Sequence, residues 1–234
     1  MRKLFVATIA TLLLASCVTQ RSAEIISAVN RTVPDEPVIF KDANLETVVR
    51  TVLKKPQGDV TRKEIASLET LKANNAGISD LTGLEYATNL TDLALYNNKV
   101  STLDPLAKLI KLTNLSLLDN QITDLAPLAE LPKLKWLALN GNQVTDVAPL
   151  SGLTSLTKLY LGNNKISTIT PLADLVELTR LYLHQNQITD VSPLAKLKEL
   201  KVLTLGSNPI NERQKSMLKE AITDCIISFD ENHQ

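Results

Sequence analysis

The sequence predicts an α/β solenoid in which short parallel strands stack into a concave sheet. Turns and 3₁₀ segments form the convex side, and helices close both ends. Three observations predict it. Leucine supplies 42 of the 234 residues, an excess that points to internal repeats. Leu68, Leu90, Leu112, Leu134, Leu156, Leu178 and Leu200 stand 22 residues apart. Asn98, Asn120, Asn142, Asn164, Asn186 and Asn208 keep the same spacing. A lone coil of this kind cannot bury its own apolar edge, so stability requires stacking into a continuous core.

The N-terminus opens with Arg2 and Lys3, followed by an apolar run from Leu4 to Ala15. As helix, that run would be roughly 18 Å long, short of the ~30 Å hydrocarbon core. Residues 1–16 are therefore expected to be a signal peptide rather than a membrane span. The run ends in Leu14-Ala15-Ser16-Cys17, which resembles a bacterial lipobox. The resemblance implies that Cys17 becomes the mature N-terminus, carries acyl chains such as palmitate, and anchors the chain to a membrane of the bacterial cell envelope. A plain secretory signal is the alternative. Val18 in place of Asp resembles lipoproteins sorted to the outer membrane, if the cell is Gram-negative, in a periplasmic or surface-facing position. Residues 17–37 are polar and mixed, with Pro34 and Pro37, and read as a lipidated flexible tether.

Residues 38–67 are expected to form a helical N-terminal cap. Leu45, Val48, Val49, Val52 and Leu53 make one apolar helical face. Pro56 and Gly58 end that helix. Thr61 and Glu64 have the spacing of a capping box for a second, short helix.

Residues 68–211 carry seven 22-residue units, the last merging into the C-terminal cap. The clearest copies read LTDLALYNNKV, LTNLSLLDNQI, LKWLALNGNQV, LTKLYLGNNKI and LTRLYLHQNQI. Alternating leucines such as Leu137 and Leu139 suit a short strand with one buried face. Seven strands at ~4.8 Å spacing would make a parallel sheet roughly 29 Å long. The repeated Asn is expected inside, bonding backbone groups where the chain leaves each strand. In the first copy its slot holds Ala76. Pro105, Pro127, Pro149, Pro171 and Pro193 each precede a Leu. Proline fixes φ and lacks a donor, which suits the start of a short 3₁₀ turn.

Residues 212–234 are expected to form the C-terminal cap. Asn211 is the predicted N-cap, with Gln214 three residues on. Met217, Leu218, Ala221 and Ile222 line one helical face, and Ile226, Ile227 and Phe229 finish the stack. Cys225 is expected to be a buried apolar filler.

The repeats closely resemble the leucine-rich repeat in its short, internalin-like bacterial form, across residues 38–229. The segment DANLETVVRTVL…GDVTRKEI resembles the N-terminal cap of internalin-like proteins. The resemblance implies a leucine-rich repeat solenoid and a role in adhesion or protein interaction. The sequence shows no wall-sorting tail and no following immunoglobulin-like region, so host invasion is not implied.

No catalytic chemistry is expected, and no cofactor or metal. The sequence has two histidines and lacks HExxH, CxxC, GxSxG and a Gly-rich phosphate loop. KKPQGDVTRKE lacks the acidic spacing of a calcium loop. Asp80, Asp124, Asp146 and Asp190 recur at one repeat position, where Thr102 and Thr168 stand in other copies. They read as turn residues rather than as paired catalytic acids. Lys plus Arg equals Asp plus Glu at 25 each, so a nucleic-acid partner is not expected.

The informative positions are those that the repeat leaves free. Strand alternation directs Tyr96, Leu118, Trp136, Lys158, Tyr160, Arg180, Tyr182 and His184 toward the concave solvent face. Small residues of the same rows, such as Ser116, Ala138, Gly162 and Thr204, are expected there too. The chain has one Trp and four Tyr, and Trp136 and three of the tyrosines fall in this set. Aromatics and Arg are favoured interface anchors. The expected function is therefore a cell-envelope-anchored module that binds an extracellular or envelope protein of unknown identity. The alternatives are a structural or scaffolding lipoprotein of an envelope complex, and a surface protein that binds a glycan.

Overall fold

The computed structural model describes residues 35–230, of which residues from Pro37 onward belong to one compact unit. The predicted signal peptide, the lipidation site Cys17, the tether as far as residue 34, and His233 lie outside the described residues.

Asp42 starts the first helix, α1 (Ala43–Leu53). Its Oδ1 accepts from the amides of Asn44 and Leu45 at 2.9 and 3.1 Å. Its Oδ2 accepts from the Ser79 amide and hydroxyl at 2.8 and 2.9 Å. One buried carboxylate thus caps the helix and ties it to the first coil. Burial opposes its charge, but the bonds from Ser79, Leu45 and Asp80 outweigh that and hold its pKa below the ordinary value. A depressed carboxylate pKa contributes stability above the unfolded value of ~3.9, lost as pH falls through the folded value. Asp42→Ala should therefore lower unfolding free energy by about 2–3 kcal/mol at pH 7. In urea titrations the gap from wild type should narrow at pH 3.

Leu45 and Val49 of α1 are fully buried, and Val48 and Leu53 pack partly against the core. Val52, expected on the same face, is instead 43% exposed. It stands one position beyond the strip that the first coil covers. The helix stops at Lys54, which adopts a left-handed conformation (φ 53°), before Pro56 is reached. The short helix α2 (Arg62–Ala66) begins with the predicted capping box: Thr61 Oγ1 accepts from the Glu64 amide, and Glu64 accepts from the Thr61 amide.

Among the described residues, eight strands follow in one parallel sheet, ordered as in the chain. They are β1 (Thr70–Lys72), β2 (Asp92–Ala94), β3 (Asn114–Ser116), β4 (Trp136–Ala138), β5 (Lys158–Tyr160), β6 (Arg180–Tyr182), β7 (Val202–Thr204) and β8 (Ile226–Ser228). Leu71, Leu93, Leu115, Leu137, Leu159, Leu181 and Leu203 occupy the centres of β1–β7 in register and are buried. The sheet is one strand longer than the leucine spacing predicts. β8 pairs with β7 through Val202 and Ile226, 24 residues apart rather than 22. The helix α3 (Glu212–Ala221) replaces the 3₁₀ turn in that last coil and lengthens it.

On the convex side, 3₁₀ turns hold the predicted prolines at their starts: Asp104–Leu106, Ala126–Leu128, Ala148–Leu150, Thr170–Leu172 and Ser192–Lys196. Asp124, Asp146 and Asp190 each accept, through Oδ1, from the amide two residues on at 2.8–2.9 Å. Asp80 does the same with Thr82 at 2.7 Å. This Asx turn is the work of the recurrent aspartate.

The six repeated asparagines form the internal ladder. Asn142 is typical. Its Nδ2 donates to the carbonyls of Leu117 and Leu139, both at 2.9 Å. Its Oδ1 accepts from the Ile122 amide at 3.0 Å. Each Asn therefore stitches its own strand exit to the coil before it. In the first coil, where Ala76 occupies the slot, Asn98 reaches back to the amides of Ala76 and Ile78.

Asn211 caps α3 as predicted, accepting from the Gln214 amide at 3.0 Å. The Gln214 side chain does not return to the cap. Its Oε1 accepts from the Val191 amide at 3.0 Å, fastening α3 to the last 3₁₀ turn. Leu218 and Ile222 are buried, with Met217 packed beside them. Cys225 is half-buried rather than buried, because it leads into β8, the edge strand of the sheet among the described residues. Desolvation still pushes its thiol up to about 11, so little nucleophilic thiolate forms at neutral pH.

Candidate functional site

The side chains that strand alternation sends away from the core share one face of the sheet. Trp136 opens β4, Tyr160 ends β5, Tyr182 ends β6, and His184 stands two residues beyond Tyr182. The register pairs Ala138 with Tyr160 and Tyr160 with Tyr182. Sequence positions 22 apart thereby become neighbours ~4.8 Å apart.

These four rings form one connected run. Trp136 meets Tyr160 edge to face, with centroids 6.2 Å apart and planes at 73°. Tyr160 and Tyr182 are stacked at 4.3 Å and 9°. Tyr182 leans on His184 at 6.5 Å and 55°. Edge-to-face and offset-stacked pairs are favoured arrangements. All four are half-buried, leaving part of each ring to solvent. Tyr96, 38% exposed, lies on the β2 exit with Leu118 on the next coil, and neither joins the ring run. Lys158 and Arg180 stand side by side as register partners, and Arg180 is exposed.

His184 meets a hydroxyl. Its Nδ1 lies 3.0 Å from Thr204 Oγ1, and burial lowers its pKa. At neutral pH it is an uncharged ring. It lies flat over Gly162, where a Cβ would overlap the imidazole. The glycine is thus the seat of the histidine.

The small residues expected on this face are covered. Ser116, Ala138, Gly162, Thr204 and Gly206 are all buried. They lie among larger neighbours, as Gly162 does beneath His184, so the solvent surface is made by the rings and long side chains. Trp136 also borders a groove of about 130 Å³ with Thr70, Lys72, Asp92, Ala94 and Asn114. Asp92 is held there, accepting from Asn114 Nδ2 and Thr91 Oγ1, both at 2.6 Å. The Trp136 Nε1 is buried without an acceptor among the described residues.

A second row has a role that strand alternation does not predict. Asn75, Asn97, Asp119, Gly141, Asn163, Gln185 and Ser207 all have φ between 51° and 70°. Each precedes the ladder position and turns the chain sharply out of the strand. Asn, Asp and Gly tolerate this left-handed region best, and five of the seven are of those types. Their 22-residue spacing was the available signal.

Among the described residues, no group of three or more His, Cys, Asp or Glu is placed to hold a metal ion. No described helix is long and apolar enough to cross a membrane.

The regular coils, the internal asparagine ladder and the parallel sheet define a repeat solenoid. The family profile described as Leucine Rich repeats (2 copies) matches residues 88–130, 132–174 and 176–214. Over half of the chain is matched, and the chain belongs to the leucine-rich repeat family. Solved structures narrow the class to its internalin-like form. An internalin (inlF) of Listeria monocytogenes is 32% identical with a TM-score of 0.80, covering 87% of this chain and 62% of its own. Internalin C2 of the same organism is 34% identical with a TM-score of 0.66, covering 81% and 94%. A leucine-rich repeat protein of Leptospira interrogans is 34% identical with a TM-score of 0.64, covering 71% and 45%. The chain thus spans about three fifths of the first of these and under half of the third. None of the curated proteins compared matches the chain.

Proposed function

We propose that this chain is a protein-binding module of the bacterial cell envelope, and that its concave face makes the contact. The observation that carries the reading is the connected ring run from Trp136 to His184. The chain is poor in aromatics, yet it gathers its only Trp and two of its four Tyr at one place on the face. Such half-exposed rings supply contact area at low entropic cost, and they are the residue types that dominate binding energy at interfaces. The likeness to internalins supports the same reading.

The proposal includes the anchor. Acylation at Cys17 would hold the protein at a membrane, and the tether to residue 37 would give the solenoid reach. Two or more acyl chains suffice for stable attachment where one does not. Metabolic labelling with a palmitate analogue tests this. Label is expected in wild type and absent in Cys17→Ala.

The binding role is tested by affinity capture from envelope and extracellular fractions, comparing wild type with a Trp136→Ala/Tyr160→Ala/Tyr182→Ala variant. A partner retained by the first and lost by the second is expected. Equal retention would remove the face from the interaction.

A further inference from the structure

The concave face changes sign along the sheet. Its β2–β3 end holds Asp92 and Asp119. Its β5–β6 end holds Lys158 and Arg180, opposite each other in register. Neither of these two makes an ion pair among the described residues. Ion pairs found elsewhere among the described residues include Glu46–Arg50, Lys55–Glu64, Asp174–Lys196 and Glu212–Lys215. Like charges directly opposite on neighbouring strands destabilise a sheet.

The rings stand on the same strands. Tyr160 and Tyr182 follow Lys158 and Arg180 by two residues, and residues two apart in a strand share a face. A cation pair therefore borders a stacked aromatic pair, on neighbouring strands, with no acid among the described residues bonded to it. A carboxylate is the group that would satisfy this pair, since Arg binds carboxylates through two parallel hydrogen bonds.

We propose that the β5–β6 part of the face takes an acidic protein segment. Its Asp or Glu side chains would meet Lys158 and Arg180, and an adjacent apolar side chain would cover the Tyr160–Tyr182 stack. The β2–β3 end, with Asp92 and Asp119, lies roughly 10–19 Å away at ~4.8 Å per strand, and Lys72 of β1 shares the groove beside Asp92. This inference rests on the protein-binding reading of the face and names the chemistry of the partner.

The probe is a random 12-residue peptide library displayed on phage and selected on the full chain. Selected peptides are expected to be enriched in Asp and Glu. Their affinity should fall at least tenfold for Lys158→Glu/Arg180→Glu, less for Lys158→Ala/Arg180→Ala, and not for Lys108→Glu/Lys196→Glu on the convex side. It should also fall as salt rises from 0.05 to 0.5 M. Matched melting curves for the variants show that the fold is kept. Peptides that need Trp136, Tyr160 and Tyr182, but are not acid-rich or ignore charge reversal, would overturn the inference and leave the protein-binding reading standing. Peptides indifferent to both the ring and the charge variants would overturn both. Binding of heparin oligosaccharides at the same cations, with no acidic peptide selected, would overturn the inference in favour of a sulfated glycan.

Discussion

Asn142→Ala should lower the unfolding free energy by about 2–3 kcal/mol. Asn142 satisfies one buried amide and two buried carbonyls, at 2.9–3.0 Å. Alanine leaves the Ile122 amide without its partner, in a site that the coils close to water, while the carbonyls of Leu117 and Leu139 each keep one bond, from Asn120 and Asn164. Each buried group left unsatisfied costs about 1–3 kcal/mol. The three belong to two successive coils, so the damage is to the joint between repeats. Gln143→Ala is the control. Gln143 is exposed and meets only Lys165, at 3.4 Å, and its loss should stay within about 0.5 kcal/mol. Urea unfolding followed by circular dichroism measures both. In a solenoid the Asn142 variant should also unfold less cooperatively, because repeats contact only their neighbours.

The second large effect is on binding. The Trp136→Ala/Tyr160→Ala/Tyr182→Ala variant should lose at least about 100-fold in affinity for the captured partner, since central aromatic anchors each contribute about 2 kcal/mol or more. Its fold should survive. The leucines beneath the rings are untouched, and the Trp136–Tyr160 and Tyr160–Tyr182 ring pairs are each worth only about 0.5–1.5 kcal/mol. Binding and stability thus separate by face. Asn142 acts on stability from inside, and the rings act on binding from outside.

The fold was legible because its cause is periodic. A 22-residue spacing of leucine, asparagine and proline states strand, ladder and turn without any tertiary knowledge, and Thr61 with Glu64 announces the cap. What was hidden is what depends on neighbours in space. β8 lacks the leucine motif and is recruited only because α3 brings Ile226 beside Val202. Val52 shares the apolar pattern of α1, yet the first coil does not reach it. Gln214 has capping-box spacing, but the Val191 amide competes for its side chain.

The candidate face was legible in its membership and not in its grouping. Alternation alone names Tyr96, Leu118, Trp136, Lys158, Tyr160, Arg180, Tyr182 and His184. It does not show that four of them join into one ring run while Tyr96 and Leu118 stay apart. Nor does it show that Ala138 and Gly162 sink beneath larger side chains, since that follows from the rotamers of residues one coil away.

Site-specific photocrosslinking tests the central claim most directly, that side chains scattered 22 residues apart act as one recognition surface. A photoreactive phenylalanine analogue replaces Tyr160 or Tyr182 on the face. In separate proteins it replaces Ile110 or Val176, which are 55% and 47% exposed outside the ring run. The account predicts a crosslinked partner of one mass from both tyrosine positions and none from Ile110 or Val176. Crosslinks from the outer positions alone, or equally from all four, would contradict it.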